Sequence, residues 1–145
     1  MGLDMYLTGK RYLRHSERDS KNFNILKEFT GGREPIKVTF ELCYWRKANA
    51  IHNWFVNNVQ DGVDNCAEYV VDYASLVSLR DACKEALDNK NPYILKPTSG
   101  FFFGSTEVDD YYWEEIKRTF ELFVELTQEQ DIIDGKTVVY YQSSW

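Results

Sequence analysis

The chain has 145 residues, 43% hydrophobic and 28% charged, proportions that suit one globular domain over 1–145 and exclude a disordered or membrane-embedded protein. A formal net charge of −6, spread without blocks of like sign, argues against general nucleic-acid binding, whose footprint is a basic patch. Cys43, Cys66 and Cys83 show no paired or metal-like spacing, no basic and apolar leader is seen and no apolar run approaches membrane-spanning length, so reduced thiols, no membrane partner and a cytoplasmic location are expected.

Leu3, Met5 and Leu7 alternate with polar residues and, with Tyr12 and Leu13, predict a first strand over 3–13. Phe23, Ile25, Leu26 and Phe29 leave a short helix and an ordered loop both open. The turn cluster Thr30-Gly31-Gly32-Arg33-Glu34-Pro35 precedes Ile36, Val38, Phe40 and Leu42, the alternation of a second strand. A helix is then predicted over 45–60, stopped at Asp61-Gly62. A short strand follows over 66–72, and Asp72 caps a second helix through residue 89 in which Leu76, Leu79, Cys83 and Leu87 recur at helical spacing. Asn91-Pro92 and Lys96-Pro97 bracket a loop. Phe101, Phe102 and Phe103, between Gly100 and Gly104, read as a buried strand pinned by glycines. Thr106 and Asp109 have capping-box spacing for a third helix to about residue 126, with Tyr112, Ile116, Phe120, Phe123 and Leu126 as its buried stripe. Residues 128–135 read as a polar loop and 138–141 as a last strand. About four strands and about three helices, too close in sequence for repeated parallel crossovers, predict an α+β fold with a largely antiparallel sheet.

Ligand-capable groups are densest over residues 44–55, where Arg46, Lys47, Asn49, His52 and Asn53 are the ligand-binding candidates of the first predicted helix. On a helix Arg46, Asn49 and Asn53 would share one face, and Tyr44, Ala48, Ile51 and Phe55 another, so that one face buries and the other meets a partner. Arg46 and Lys47 near a helix start suit an anion, Asn49 and Asn53 offer amide donors and acceptors, and Tyr44 and Trp45 offer a stacking surface. The plain alternative is the solvated face of an amphipathic helix. Gly104, Ser105 and the N–H groups after them are a further anion-binding candidate, and Trp145 either packs on the core or walls a pocket. His52 as general base with Cys66 as nucleophile is the enzymatic reading, although cysteine is more often a small buried hydrophobe. Residues 100–105 lack the glycine spacing and lysine of a phosphate loop, and Asp61 and Asp64 lack the later acid of a calcium loop, so neither a cofactor nor a metal is expected.

Four separated blocks carry a resemblance: Gly2-Leu3-Asp4-Met5-Tyr6-Leu7, residues 44–56, residues 100–105 with Tyr111 and Tyr112, and Tyr141-Gln142-Ser143-Ser144-Trp145. Together they resemble a family of small proteins encoded by bacteriophages and prophages. The resemblance implies a context and no catalytic residue or cofactor: small phage accessory proteins act on the host by binding, either blocking a defence protein or sequestering a nucleotide signal. The expectation is a non-enzymatic counter-defence protein that holds an anionic small ligand such as a nucleotide. An inhibitor of a host defence protein, and a small enzyme using Cys66 and His52, are the alternatives.

Overall fold

Alternation along the first strand is obeyed residue by residue: Met5 and Leu7 are buried while Tyr6 between them is exposed. In a computed structural model that describes residues 2–18 and 20–145, this strand is β1 (Asp4–Tyr12), followed by a 3-10 turn (His15–Glu17) and α1 (Lys21–Phe29). Next come β2 (Lys37–Arg46), α2 (Asn49–Asn58), β3 (Tyr69–Val71), α3 (Tyr73–Asn89), α4 (Asp110–Leu126), α5 (Gln130–Ile133) and β4 (Thr137–Ser144). Among the described residues the strands form one open antiparallel sheet in the order β2-β1-β4-β3, so the expected α+β fold with four strands is present.

One face of the sheet carries the core. Met5, Leu7, Trp45, Val139 and Tyr141 point inward and meet Ile51 and Phe55 of α2, Leu76, Leu79 and Cys83 of α3, and Ile116 and Phe123 of α4. The Trp45 ring stands edge-on to Phe55 at 6.0 Å and tilted to Phe123 at 6.3 Å, and Phe55 stacks on Tyr141 at 3.9 Å. Such aromatic packing removes large apolar surfaces from water and fixes α2 against the sheet. The other face holds Tyr6 beside Tyr44, their rings 5.5 Å apart, and Lys10 over the ring of Tyr140 at 4.2 Å. No helix among the described residues is long and apolar enough to cross a membrane.

Several elements depart from the sequence expectations. Strand β2 continues through Arg46, and the helix that was expected from residue 45 begins at Asn49. The reason is pairing: Tyr44, Trp45 and Arg46 stand opposite Tyr6, Met5 and Asp4 of β1, and Trp45 gains full burial by facing inward. Helix α4 begins at Asp110 with Asp109 as its N-cap, whose carboxylate accepts from Tyr112 N–H, so Thr106 starts nothing. Residues 101 and 102 form an exposed turn in place of a buried strand, and only Phe103 reaches the core. Phe102 there adopts the left-handed conformation, which a strand does not admit. Residues 21–29 settle as α1, and α5 lies within the predicted loop, bringing the helices to five among the described residues.

Candidate functional site

Strand β2 ends where Lys47 turns left-handed, with φ +56°. Its N–H donates to Leu3 O at 2.7 Å, and its side chain is gripped from two sides by residues that have none. A Cβ built on Gly2 would lie 3.1 Å from Lys47 Cε, and one built on Gly104 would lie 3.1 Å from Lys47 Cβ. Gly2 and Gly104 are themselves at positive φ, so glycine serves both the turn and the close approach. The lysine stem thus runs along two glycines, on a residue that is otherwise exposed.

Helix α2 starts directly after this corner. Its N-cap is Ala48, which has no side-chain acceptor to offer, and the first helical bond runs from His52 N–H to Ala48 O. The N–H groups of Asn49, Ala50 and Ile51 therefore have no acceptor within the helix, and together they form the positive end of its dipole. The Asn49 side chain is turned away from this end. Its amide nitrogen donates to Phe103 O and Ser105 O at 3.1 and 2.9 Å, and its oxygen accepts from Thr98 N–H at 3.1 Å. These three bonds tie the loop between α3 and α4 against α2.

The loop, the corner and the start of α4 enclose a cavity of about 370 Å³. Ile51, Pro97, Tyr111, Tyr112 and Ile116 give it apolar walls, and Arg46, Lys47, Glu107, Asp109 and Glu115 give it charge. Tyr112 O–H donates to Leu95 O at 2.6 Å, and burial pushes its hydroxyl up to about 12. Tyr111 O–H donates to Arg46 O, which holds α4 to the end of β2. Arg46 donates to Asp4 at 2.9 Å, and the same carboxylate accepts from Tyr44 O–H. The Tyr44 hydrogen bond first, with the Arg46 charge adding to it, holds the Asp4 carboxyl below the usual aspartate range, and the Tyr44 hydroxyl is raised in return.

The site residues named from sequence fall into three places. Arg46, Lys47, Asn49 and Ser105 line the cavity, though Asn49 presents its backbone because its side chain is already engaged. Tyr44 lies on the outer face of the sheet, and Trp45 is fully buried with its indole N–H donating to Thr119 Oγ1 at 2.9 Å, so the expected Tyr44–Trp45 stacking surface does not exist. Asn53 follows Asn49 by one turn of α2 and donates to Lys96 O of the same loop at 3.3 Å, outside the cavity lining, while Arg46 belongs to β2, so the shared helical face of Arg46, Asn49 and Asn53 is not formed. Glu107, which contributes to the cavity, had no distinguishing sequence signal, and Tyr111 stood out only within the blocks that carry the resemblance. Tyr112 and Ile116 were legible only as a buried stripe.

His52 and Trp145 meet elsewhere. His52 is fully buried, with Nδ1 2.6 Å from the Tyr141 hydroxyl and Nε2 2.9 Å from Asp64 Oδ2, while Asp64 Oδ1 accepts from the Trp145 indole N–H at 3.0 Å. A carboxylate only accepts, so in the neutral ring Nε2 carries the hydrogen and Nδ1 accepts from the Tyr141 O–H. Burial raises the Tyr141 hydroxyl well above its usual value. Both imidazole nitrogens are thus engaged, and no hydrogen bond joins His52 to the Cys66 thiol among the described residues. The contact that a Cys66–His52 nucleophile and base would need is absent. Trp145 packs edge-on to Phe103 at 6.1 Å and is not among the residues that line the cavity.

No family model, curated protein or solved structure matches the chain.

Proposed function

We propose that the protein is a non-enzymatic binding protein whose cavity at the start of α2 holds a small ligand through an anionic group, of the kind a nucleotide carries. The observation behind this reading is the Lys47 corner. Among the described residues its ammonium has no ion-pair partner, its stem runs against Gly2 and Gly104, and it lines the same cavity as Asn49, Ala50 and Ile51, whose N–H groups are uncapped. A cation and a helix start act on the same negative group, while Tyr111, Tyr112, Ile51 and Ile116 take up a flat apolar body. In the setting that the phage resemblance suggests, such a protein sequesters a host nucleotide signal in the cytoplasm.

Thermal unfolding with a panel of nucleoside monophosphates tests this. A ligand that binds only the native state raises Tm by mass action. The expected result is a rise with at least one phosphorylated nucleoside, lost in Lys47→Ala. No shift at millimolar concentration with any of them rejects the reading.

A second reading, inhibition of a host protein, draws on a different observation. Phe29 on α1 is 90% exposed, and Ile25 one turn earlier and Ile36 beyond the turn are exposed as well. Apolar side chains left in water on neighbouring elements suit a protein partner. Charged substitutions at Phe29 and Ile25 separate the two readings, since they leave nucleotide binding intact and abolish only a protein contact.

A further inference from the structure

We infer that the ligand of the α2 cavity is amphoteric, with an anionic group for Lys47 and a hydrogen-donating amine for Glu107, the chemistry of an aminopurine or aminopyrimidine monophosphate. This rests on the reading of the cavity as a ligand site and goes on to define what fits it.

Five charged side chains line the cavity, and three are already used. Arg46 is paired with Asp4, Glu115 with Arg118, and Asp109 caps α4. Lys47 and Glu107 remain, opposite in sign and on the same cavity, and no ion pair joins them to each other or to another side chain among the described residues. Two opposite charges with free access to each other would be expected to close up. Here each backbone is fixed separately. Lys47 is held by the glycines on either side. Glu107 N–H donates to Ser105 Oγ at 3.0 Å, and Ser105 O is in turn held by the Asn49 amide at 2.9 Å. The two backbones are thus anchored independently, and no ion pair closes between their charged ends among the described residues.

A purely anionic ligand would satisfy Lys47 and be repelled by Glu107, and a cation would meet the reverse. A molecule with a phosphate at one end and an exocyclic amine at the other satisfies both, because the carboxylate only accepts and the ammonium only donates. The flat ring between these groups meets the tyrosine and isoleucine walls. At about 370 Å³ the cavity lies near the lower end of ligand sites, which span about 300–1,000 Å³, and it has room for one nucleotide unit rather than two.

Calorimetric titration with matched pairs tests this: AMP against IMP and CMP against UMP, in which a carbonyl replaces the amine, with adenosine as the control lacking phosphate. In at least one pair the amino member should bind about tenfold or more tighter than its partner, the effect of one hydrogen bond to a charged group. Glu107→Ala should bring that pair to within about twofold, whereas Lys47→Ala should weaken both members alike, by about tenfold, and leave adenosine unchanged. Glu107 is exposed, and an unchanged Tm will establish that the variant is folded. Equal binding within both pairs overturns the inference and leaves the cavity as a phosphate-ligand site. Preference for the amino member that survives in Glu107→Ala overturns the role of Glu107. Failure of every phosphorylated nucleoside to bind overturns the site itself.

Discussion

The Tyr141 hydroxyl lies 2.6 Å from His52 Nδ1, and both side chains are sealed from solvent. The pair joins α2 to β4 and continues through Asp64 to Trp145, so a single imidazole holds two elements and the segment after α2 in register. Its interest is structural. Removing the ring leaves a buried phenol without an acceptor and a cavity beside Phe103 and Phe55, whereas removing only the phenol oxygen leaves the ring shape intact. His52→Ala should therefore cost about 3 kcal/mol and Tyr141→Phe about 1 kcal/mol, read from urea unfolding midpoints. Equal costs would mean that the shape of the ring contributes nothing beyond the hydrogen bond.

Asn49 makes three hydrogen bonds from a buried side chain, all to the backbone of the loop that roofs the cavity. Asn49→Ala should destabilise the protein by about 3 kcal/mol, because two carbonyls and an N–H lose their partners. The loop between Lys96 and Asp109 should also become the first site of limited proteolysis. Cleavage appearing elsewhere first would show that the loop does not depend on this amide.

Gly104 tests the Lys47 clamp. It sits at φ +86° with the lysine stem against its α-carbon, so Gly104→Ala meets both backbone strain and a contact 3.1 Å from Lys47 Cβ. The expected cost is about 1–2 kcal/mol, accompanied by weaker ligand binding as the ammonium is displaced. Gly135 is also at positive φ but has nothing within 4 Å, so Gly135→Ala should show the strain alone and serve as the comparison.

Asp72 supplies the pH dependence. Its carboxylate caps α3 by accepting from Ser75 N–H at 2.8 Å, and the Ser75 side-chain and backbone hydrogen bonds hold its pKa below the ordinary 3.8. A group with a lowered folded-state pKa stabilises the protein above its unfolded value and loses that contribution as pH falls through the folded one. Asp72→Ala should thus cost about 1 kcal/mol near neutral pH, and the gap from the wild-type chain should narrow once pH drops below 3.8. A gap of constant size down to strongly acid pH would assign the cap to packing instead of charge.

Much of the fold was legible because strands and helices of ordinary length declare themselves by period. The strand alternation of Leu3, Met5 and Leu7, the stripe of α4 and the Asp72 cap all appear where the residues put them. The border between β2 and α2 was not. Residues 44–47 carry bulky and cationic side chains that fit either period, and the choice was made by pairing with β1, which no local pattern encodes. The same tertiary preference moved Trp45 and the side chains of Asn49 and His52 from a presumed binding face into internal bonds. Arg46 and Lys47 stand out because charge near a helix start has a physical meaning in sequence, and Ser105, which stands out for a helix start that lies instead at Asp110, lines the same cavity from the loop. Glu107 became visible only when the fold placed it on the same cavity as Lys47, without an ion-pair partner among the described residues.

Strand β2 lies at the edge of the sheet, and edge strands are templates for pairing between molecules. Because Lys47 N–H faces β1, alternation turns the carbonyls of Tyr44 and Arg46 outward, where Arg118 donates to the first at 3.0 Å and Tyr111 O–H to the second. An arriving strand would find these two acceptors occupied. Helix α4 therefore guards against self-association at the very end of β2 that opens onto the cavity, and any change that loosens this helix frees an adhesive edge at the same moment that it loses the ligand wall.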